Sequence, residues 1–252
     1  MKQGENMNTV TFKLLLIAIF VLCVFAPQVL EAQEIIDVNL ADQFHYDFPS
    51  EITGLTYDGS YLWMYETYCD SLIALDLNSG AKIFGFPSMI ETAITGLAYD
   101  GENFWVSAEL YLFQISYEDG SLITSFHVPH PCGTGAMITD LEWHDGYLHC
   151  LISAGYSSII TVVDVDIIET INTIFPSEGS AVNGITFMDE YFWEYNAQYS
   201  KVVKANSGSG GFDDYFFPYY YCGSIIGMTT DGEYMYCSDS FRNIYKYEII
   251  EE

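Results

Sequence analysis

Five oxygen-bearing side chains recur at matched places in a repeating pattern: Glu66, Asp140, Asn183, Asn196 and Asp239. Carboxylate and amide oxygens gathered at one point are what a hard divalent cation such as calcium takes as ligands. Without a cation, close carboxylates raise one another's proton affinity, and one is kept protonated as an acid. Glu66, Asp140, Asn196 and Asp239 are therefore the candidate metal ligands, and Glu66 is the candidate catalytic acid or base. The same residues stand at strand ends, where polar side chains also occur for structural reasons alone. There is no Ser-His-Asp order, no phosphate loop and no zinc-spaced CxxC. His149 stands where other repeats have tryptophan and reads as a core residue, while His127, His130 and His144 are expected in loops.

The pattern that places these residues is a repeat of about 43 residues, the size of a four-stranded propeller blade. Five segments begin alike: Ile52-Thr53-Gly54-Leu55, Ile94-Thr95-Gly96-Leu97, Ile138-Thr139-Asp140-Leu141, Val182-Asn183-Gly184-Ile185 and Ile225-Ile226-Gly227-Met228. Four of them run into an Asp-Gly pair, a strong hairpin signal, and the fourth segment has Glu190 in place of the glycine. An aromatic second strand follows each turn, as in Tyr61-Leu62-Trp63-Met64-Tyr65, and then a third strand such as Ser71 to Leu77. Aromatic and β-branched residues punctuated by Gly, Asn and Asp, with no useful helical period, predict an all-β chain.

Fourth strands end in an apolar residue and proline: Phe86-Pro87, Val128-Pro129, Phe175-Pro176 and Phe217-Pro218. Proline suits an outermost strand, whose outward N–H breaks no ladder. One further copy, Phe44 to Pro49, precedes the first repeat, and the fifth repeat stops after its third strand, near Asn243 to Tyr247. Residues 42–48 are therefore expected to pair with that strand and close a five-bladed β-propeller of four antiparallel strands per blade. A β-sandwich with regular hairpins does not account for the spare strand.

Lys2 and Lys13, the apolar run Leu14 to Ala26 and Ala32 describe a signal peptide over residues 1–32, leaving a single propeller domain over 33–252. The run is shorter than the roughly 20 residues of a membrane span, so the expected location is secreted, or the periplasmic or extracellular surface, with no membrane span after cleavage. The formal charge of −28 rests on 35 acidic residues against seven basic ones, which argues against nucleic acid. Of the cysteines beyond the signal, Cys150 and Cys237 hold equivalent places in blades that do not touch and should be buried thiols. Any disulfide should come from Cys69, Cys132 and Cys222.

The repeats resemble those of secreted propellers of the NHL/YVTN and gluconolactonase-like group. In the first repeat, Tyr65-Glu66-Thr67, Ser71-Leu72 and Asp76-Leu77-Asn78-Ser79-Gly80 resemble the plant-type glutamine cyclotransferases. That likeness implies Glu66 as the acid or base that cyclises N-terminal glutamine. The chain has Glu51-Ile52-Thr53-Gly54 where that family has Phe-Thr-Gln-Gly. The expected function is a non-catalytic binding or scaffold propeller, monomeric, meeting a protein, glycan or surface ligand through its rim. The alternative is a rim-site enzyme, cyclotransferase-like or a cation-dependent lactonase-like hydrolase. The run Tyr215 to Cys222 leads onto the same rim and either stacks on sugar rings or packs beneath a neighbouring blade.

Overall fold

Each repeat buries its aromatic second strand on both faces, which a lone sheet cannot do, so the repeats must stack. A computed structural model describes residues 34–46, 52–129, 135–155, 157–176, 181–206, 212–218 and 223–250. The expected signal segment, Phe48-Pro49, His130, Cys132 and Cys222 lie outside the described residues. The described residues hold strands and no helix. The chain begins with β1 (Glu34–Ile35) and β2 (Asp37–His45). The first blade follows as β3 (Ile52–Tyr57), β4 (Leu62–Glu66), β5 (Ser71–Leu75) and β6 (Lys82–Pro87), and the second as β7 (Gly96–Tyr99), β8 (Phe104–Ala108), β9 (Tyr111–Ile115) and β10 (Leu122–His127). The third comprises β11 (Met137–His144), β12 (Tyr147–Ala154), β13 (Ser157–Asp164) and β14 (Glu169–Ile174). The fourth is β15 (Val182–Met188), β16 (Tyr191–Asn196), β17 (Lys201–Asn206) and β18 (Phe212–Phe216). The fifth has only β19 (Ile225–Thr230), β20 (Tyr234–Asp239) and β21 (Asn243–Ile250), and β2 completes it.

The protein is thus a five-bladed β-propeller. Its inner strands meet in ring order, β3 with β7, β7 with β11, β11 with β15, β15 with β19, and β19 with β3. Five apolar clusters fill the five seams between neighbouring blades. In the first seam Trp63 lies 4.7 Å from Phe104, centroid to centroid. Cys150 and Cys237 are buried thiols in separate sheets, as their places in the repeat require.

The closing strand is longer than the sequence pattern indicates. Residues 37–45 pair antiparallel with 243–250, Phe44 opposite Ile244 and Asp37 opposite Ile250. The added length lays Ile36, Val38 and Ile249 against the apolar seam between the fourth and fifth blades. Beyond it, Glu34 and Ile35 run parallel to β18, and the Ile36 N–H donates to the Tyr215 carbonyl at 2.8 Å. The N-terminal segment therefore straps two blades together, and it covers the outer edge of the fourth.

The Asp-Gly turns divide into two kinds. Asp145-Gly146 and Asp189-Glu190 are two-residue turns with positive φ at both positions, Glu190 at 67° included. In the first, second and fifth blades the aspartate instead governs a longer loop. Asp58 accepts the N–H groups of Ser60 and Tyr61, each at 2.7 Å. Its other oxygen takes the Trp63 indole N–H at 2.6 Å and the Tyr117 hydroxyl of the second blade at 2.8 Å. Asp100 and Asp231 repeat the arrangement. Asp58→Ala would strand an indole N–H and a hydroxyl in a packed seam. Its expected cost is about 2–4 kcal/mol, a fall in Tm of roughly 4–16 °C for a chain of this size. Asp145→Asn, at an exposed two-residue turn that asparagine tolerates, should change stability by less than about 0.5 kcal/mol. Thermal unfolding of the two variants side by side checks both.

Candidate binding site at the channel mouth

Glu66, Asn196 and Asp239 end the second strands of the first, fourth and fifth blades, opposite Ile52, Val182 and Ile225 at the start of the inner strands. That puts them at the rim, as the sequence indicates, but their oxygens turn into their own chain. Glu66 is fully buried and accepts the Tyr68 N–H at 3.1 Å and the Cys69 N–H at 2.6 Å. Asn196 Oδ1 accepts the N–H groups of Gln198 at 3.0 Å and Tyr199 at 3.2 Å. Asp239 accepts the N–H groups of Phe241, Asn243 and Gly223, together with the Tyr245 hydroxyl. The shared task is to cap the turn into the third strand, whose last residue is left-handed in all three blades: Asp70, Ser200 and Arg242. The second blade has a two-residue turn there, and Ala108 serves.

Asp140 has a different task. In four blades its place is glycine, and in the first and second the next inner strand passes too close for a side chain. A Cβ on Gly54 would stand 2.7 Å from the Leu97 Cβ, and one on Gly96 would stand 2.9 Å from the Asp140 backbone. In the third blade Asp140 uses that contact instead, accepting the Ile185 N–H of the fourth blade at 3.0 Å. Backbone N–H groups of Leu141 and Met228 also point at it, and burial nevertheless raises its pKa. Among the described residues, no three His, Cys, Asp or Glu side chains come together to hold a metal ion. The oxygens of Glu66, Asp140, Asn196 and Asp239 are drawn to backbone N–H groups of their own turns or of a neighbouring strand.

One residue earlier in the repeat, the inner strands present Thr53, Thr95, Thr139, Asn183 and Ile226, which line a cavity of about 230 Å³. One residue comes from each blade, so the cavity sits on the ring axis at the channel mouth. Thr53 Oγ1 donates to the Ile94 carbonyl of the next blade at 2.7 Å, and Thr95 Oγ1 to the Ile138 carbonyl at 2.6 Å. Ser153 makes the corresponding bond to Val182 at 3.3 Å, and Asn183 Nδ2 reaches Ser224 Oγ at 3.3 Å. Thr139 Oγ1 stays within its own blade, 3.4 Å from the Leu151 carbonyl, so three of the four polar lining residues bond between blades. The lining offers hydroxyl and amide oxygens with methyl groups, and it carries no ionisable side chain.

A second set of buried titratable groups, Glu142 and His149, lies toward the other end of the third blade. His127 ends β10 and His144 ends β11, so neither is a loop residue. The His144 ring stacks on Phe187, 3.8 Å between centroids. His149 is a buried core residue opposite Glu142, and Glu142 accepts the Phe187 N–H at 3.3 Å and the Thr186 hydroxyl at 3.4 Å. Of the aromatic run on the outer strand, Phe216 is buried, Tyr215 lies under Lys201, and Phe217 is exposed. Tyr219 to Cys222 lie outside the described residues.

No family model matches this chain, and no curated protein sequence matches it. Solved structures do. A glutaminyl cyclase from Myxococcus xanthus superposes with a TM-score of 0.67 at 13% identity, over 86% of this chain and 100% of that one. The Cps50 (Swd1) β-propeller domain of Myceliophteria thermophila gives 0.53 at 8% identity, over 85% of this chain and 100% of that one. Both likenesses concern the fold.

Of the lining residues, Asn183 is among the oxygen-bearing side chains the repeat brings out, whereas Thr53, Thr95, Thr139 and Ile226 are not. The column preceding Gly54, Gly96, Asp140, Gly184 and Gly227 was the signal. The buried pair has a consequence for stability. Burial pushes the Glu142 carboxyl up to about 8, so its contribution is full below its ordinary 4.5 and is lost as pH rises through 8. Burial, with His144 adding to it, pushes His149 down to about 4, so its contribution is full above its ordinary 6.5 and is lost as pH falls through 4. The two slopes offset each other between those ordinary values, leaving a fall from about pH 6.5 to 8. Urea unfolding across pH should show that fall, and Glu142→Gln should make it shallower, leaving the part that the raised Asp140 carboxyl contributes.

Proposed function

We propose that this protein is a non-catalytic binding propeller, working at the cell exterior, that takes an uncharged ligand at its channel mouth. The observation that carries the reading is the commitment of Glu66. Both carboxylate oxygens accept turn N–H groups, the side chain is fully buried, and Asn196 and Asp239 do the same work in other blades. A group whose task is shared by an asparagine is explained by the turn, without a proton-transfer role. The mouth itself holds hydroxyls, one amide and one isoleucine, none of which is an acid, base or activated nucleophile near neutral pH.

The charge distribution supports an uncharged partner. Beyond the signal segment the chain has five basic side chains. Three of them, Lys201, Lys204 and Lys246, lie over the chain's own tyrosine rings. None of the residues lining the cavity carries a charge to balance an anion, and the net charge repels one.

The likeness to a glutaminyl cyclase makes the competing activity specific enough to test. Incubation with a peptide that begins in glutamine should yield no loss of ammonia above the buffer rate, with or without calcium. Enzymatic release of ammonia that Glu66→Gln abolishes would overturn the binding reading. Calcium at millimolar concentration should shift Tm no more than magnesium does at equal ionic strength, because screening of a −28 surface is common to both. A calcium-specific rise would restore the cation site.

A further inference from the structure

The capped turns carry a second feature. Tyr68, Tyr199 and Phe241 project from the turns that Glu66, Asn196 and Asp239 hold, and they are 72%, 53% and 61% exposed. Tyr68 and Phe241 stand at the same place, two residues beyond the cap. The fourth, fifth and first blades are consecutive in the ring, so the three rings form an arc on the rim that carries the cavity. Second-to-third-strand turns lie one to two strand spacings outward from the inner strands, about 5–10 Å. Large aromatic side chains are usually drawn into the core. Here buried side-chain oxygens fix the backbone so that three aromatics stand in solvent.

We infer that the mouth and this arc together form a subsite for the end of an uncharged polyhydroxylated glycan; this rests on the binding reading above and names the ligand class for that site. The cavity, about 230 Å³, is below the roughly 300–1,000 Å³ of drug-sized pockets, so a terminal sugar enters and the following units lie over the rim. The wall supplies acceptor oxygens and methyl groups, while its donors are bonded to the protein: Thr53, Thr95 and Asn183 to the next blade and Thr139 to the Leu151 carbonyl of its own. A sugar supplies the complement, O–H donors with apolar C–H faces, and the faces stack on exposed aromatic rings. An anionic glycan meets the field of a −28 protein. A cationic one finds no carboxylate among the lining residues, and burying an unpaired ammonium is costly. Each inner strand pairs only with the second strand of its own blade, so an extended peptide is the competing occupant, and the titration includes one.

Calorimetric titration of the full chain tests this with cello-, malto-, laminari- and N-acetylchito-hexaose as neutral probes. A hexagalacturonate and a chitosan hexamer serve as anionic and cationic probes, and an uncharged hexapeptide completes the set. At least one neutral hexasaccharide should bind more tightly than the charged probes and the peptide. Phe241→Ala and Tyr68→Ala should each weaken it about tenfold. Thr139→Val, which keeps the shape and removes the oxygen, should weaken it too. Tyr147→Ala, at the opposite end of the third blade, should leave it unchanged. Circular dichroism and Tm establish that each variant is folded. Absence of binding by every neutral probe, binding that ignores the rim variants, or preference for a charged probe or the peptide would overturn the inference. The binding reading stands or falls separately, on whether glutaminyl peptides are turned over.

Discussion

Five inner strands share one axis, and the space between neighbours decides what each repeat contains. Where the next strand passes, a Cβ on Gly54 or Gly96 would stand within 3 Å of it, well inside the contact distance of packed carbon atoms. Glycine stands at that place in four blades, and in the first two the approach of the next strand requires it. The fifth case, Asp140, exchanges room for hydrogen bonds across the seam to Ile185. Threonine hydroxyls bonding to the next blade's carbonyls complete the same contact. The channel mouth is therefore a by-product of closure: the residues that zip the ring are the residues that line it.

A similar economy governs the rim. A turn of three or four residues leaves N–H groups facing inward, and burying them without partners would cost about 1–3 kcal/mol each. Glu66, Asn196 and Asp239 supply the acceptors, which frees the outward positions of those turns for Tyr68, Tyr199 and Phe241. The second blade, with a shorter turn, has neither the cap nor the aromatic at that place. Cap and projecting ring thus come together in three neighbouring blades.

Much of this was legible in the sequence. The repeated Ile-Thr-Gly opening and the spare N-terminal strand were enough for five blades and for closure. The Asp-Gly pairs located four of the five turns but not their form, because the equivalent aspartate makes a two-residue turn at Asp145 and a side-chain-bonded loop at Asp58. The parallel addition of Glu34 and Ile35 to β18 carried no signal, since it depends on an edge that exists only after the blades are assembled. For the site, alignment gives each residue's position along its strand but not the hydrogen bonds its oxygens make. Glu66 reads as a rim carboxylate until the N–H groups of Tyr68 and Cys69 are in view. Oxygen-rich columns invite thoughts of metal, whereas the uncharged column beside them forms the cavity.

The claim on which all of this converges is that the rim's carboxylates are structural and its mouth receives an uncharged ligand. A crystal structure of the protein soaked in the tightest-binding neutral hexasaccharide tests it most directly. The account predicts a sugar ring seated among Thr53, Thr95, Thr139, Asn183 and Ile226, further units over Phe241 or Tyr68, and Glu66 still bonded to its turn. Sugar bound elsewhere with the mouth empty, or the Glu66 carboxylate turned out of its turn to meet the ligand, would contradict it.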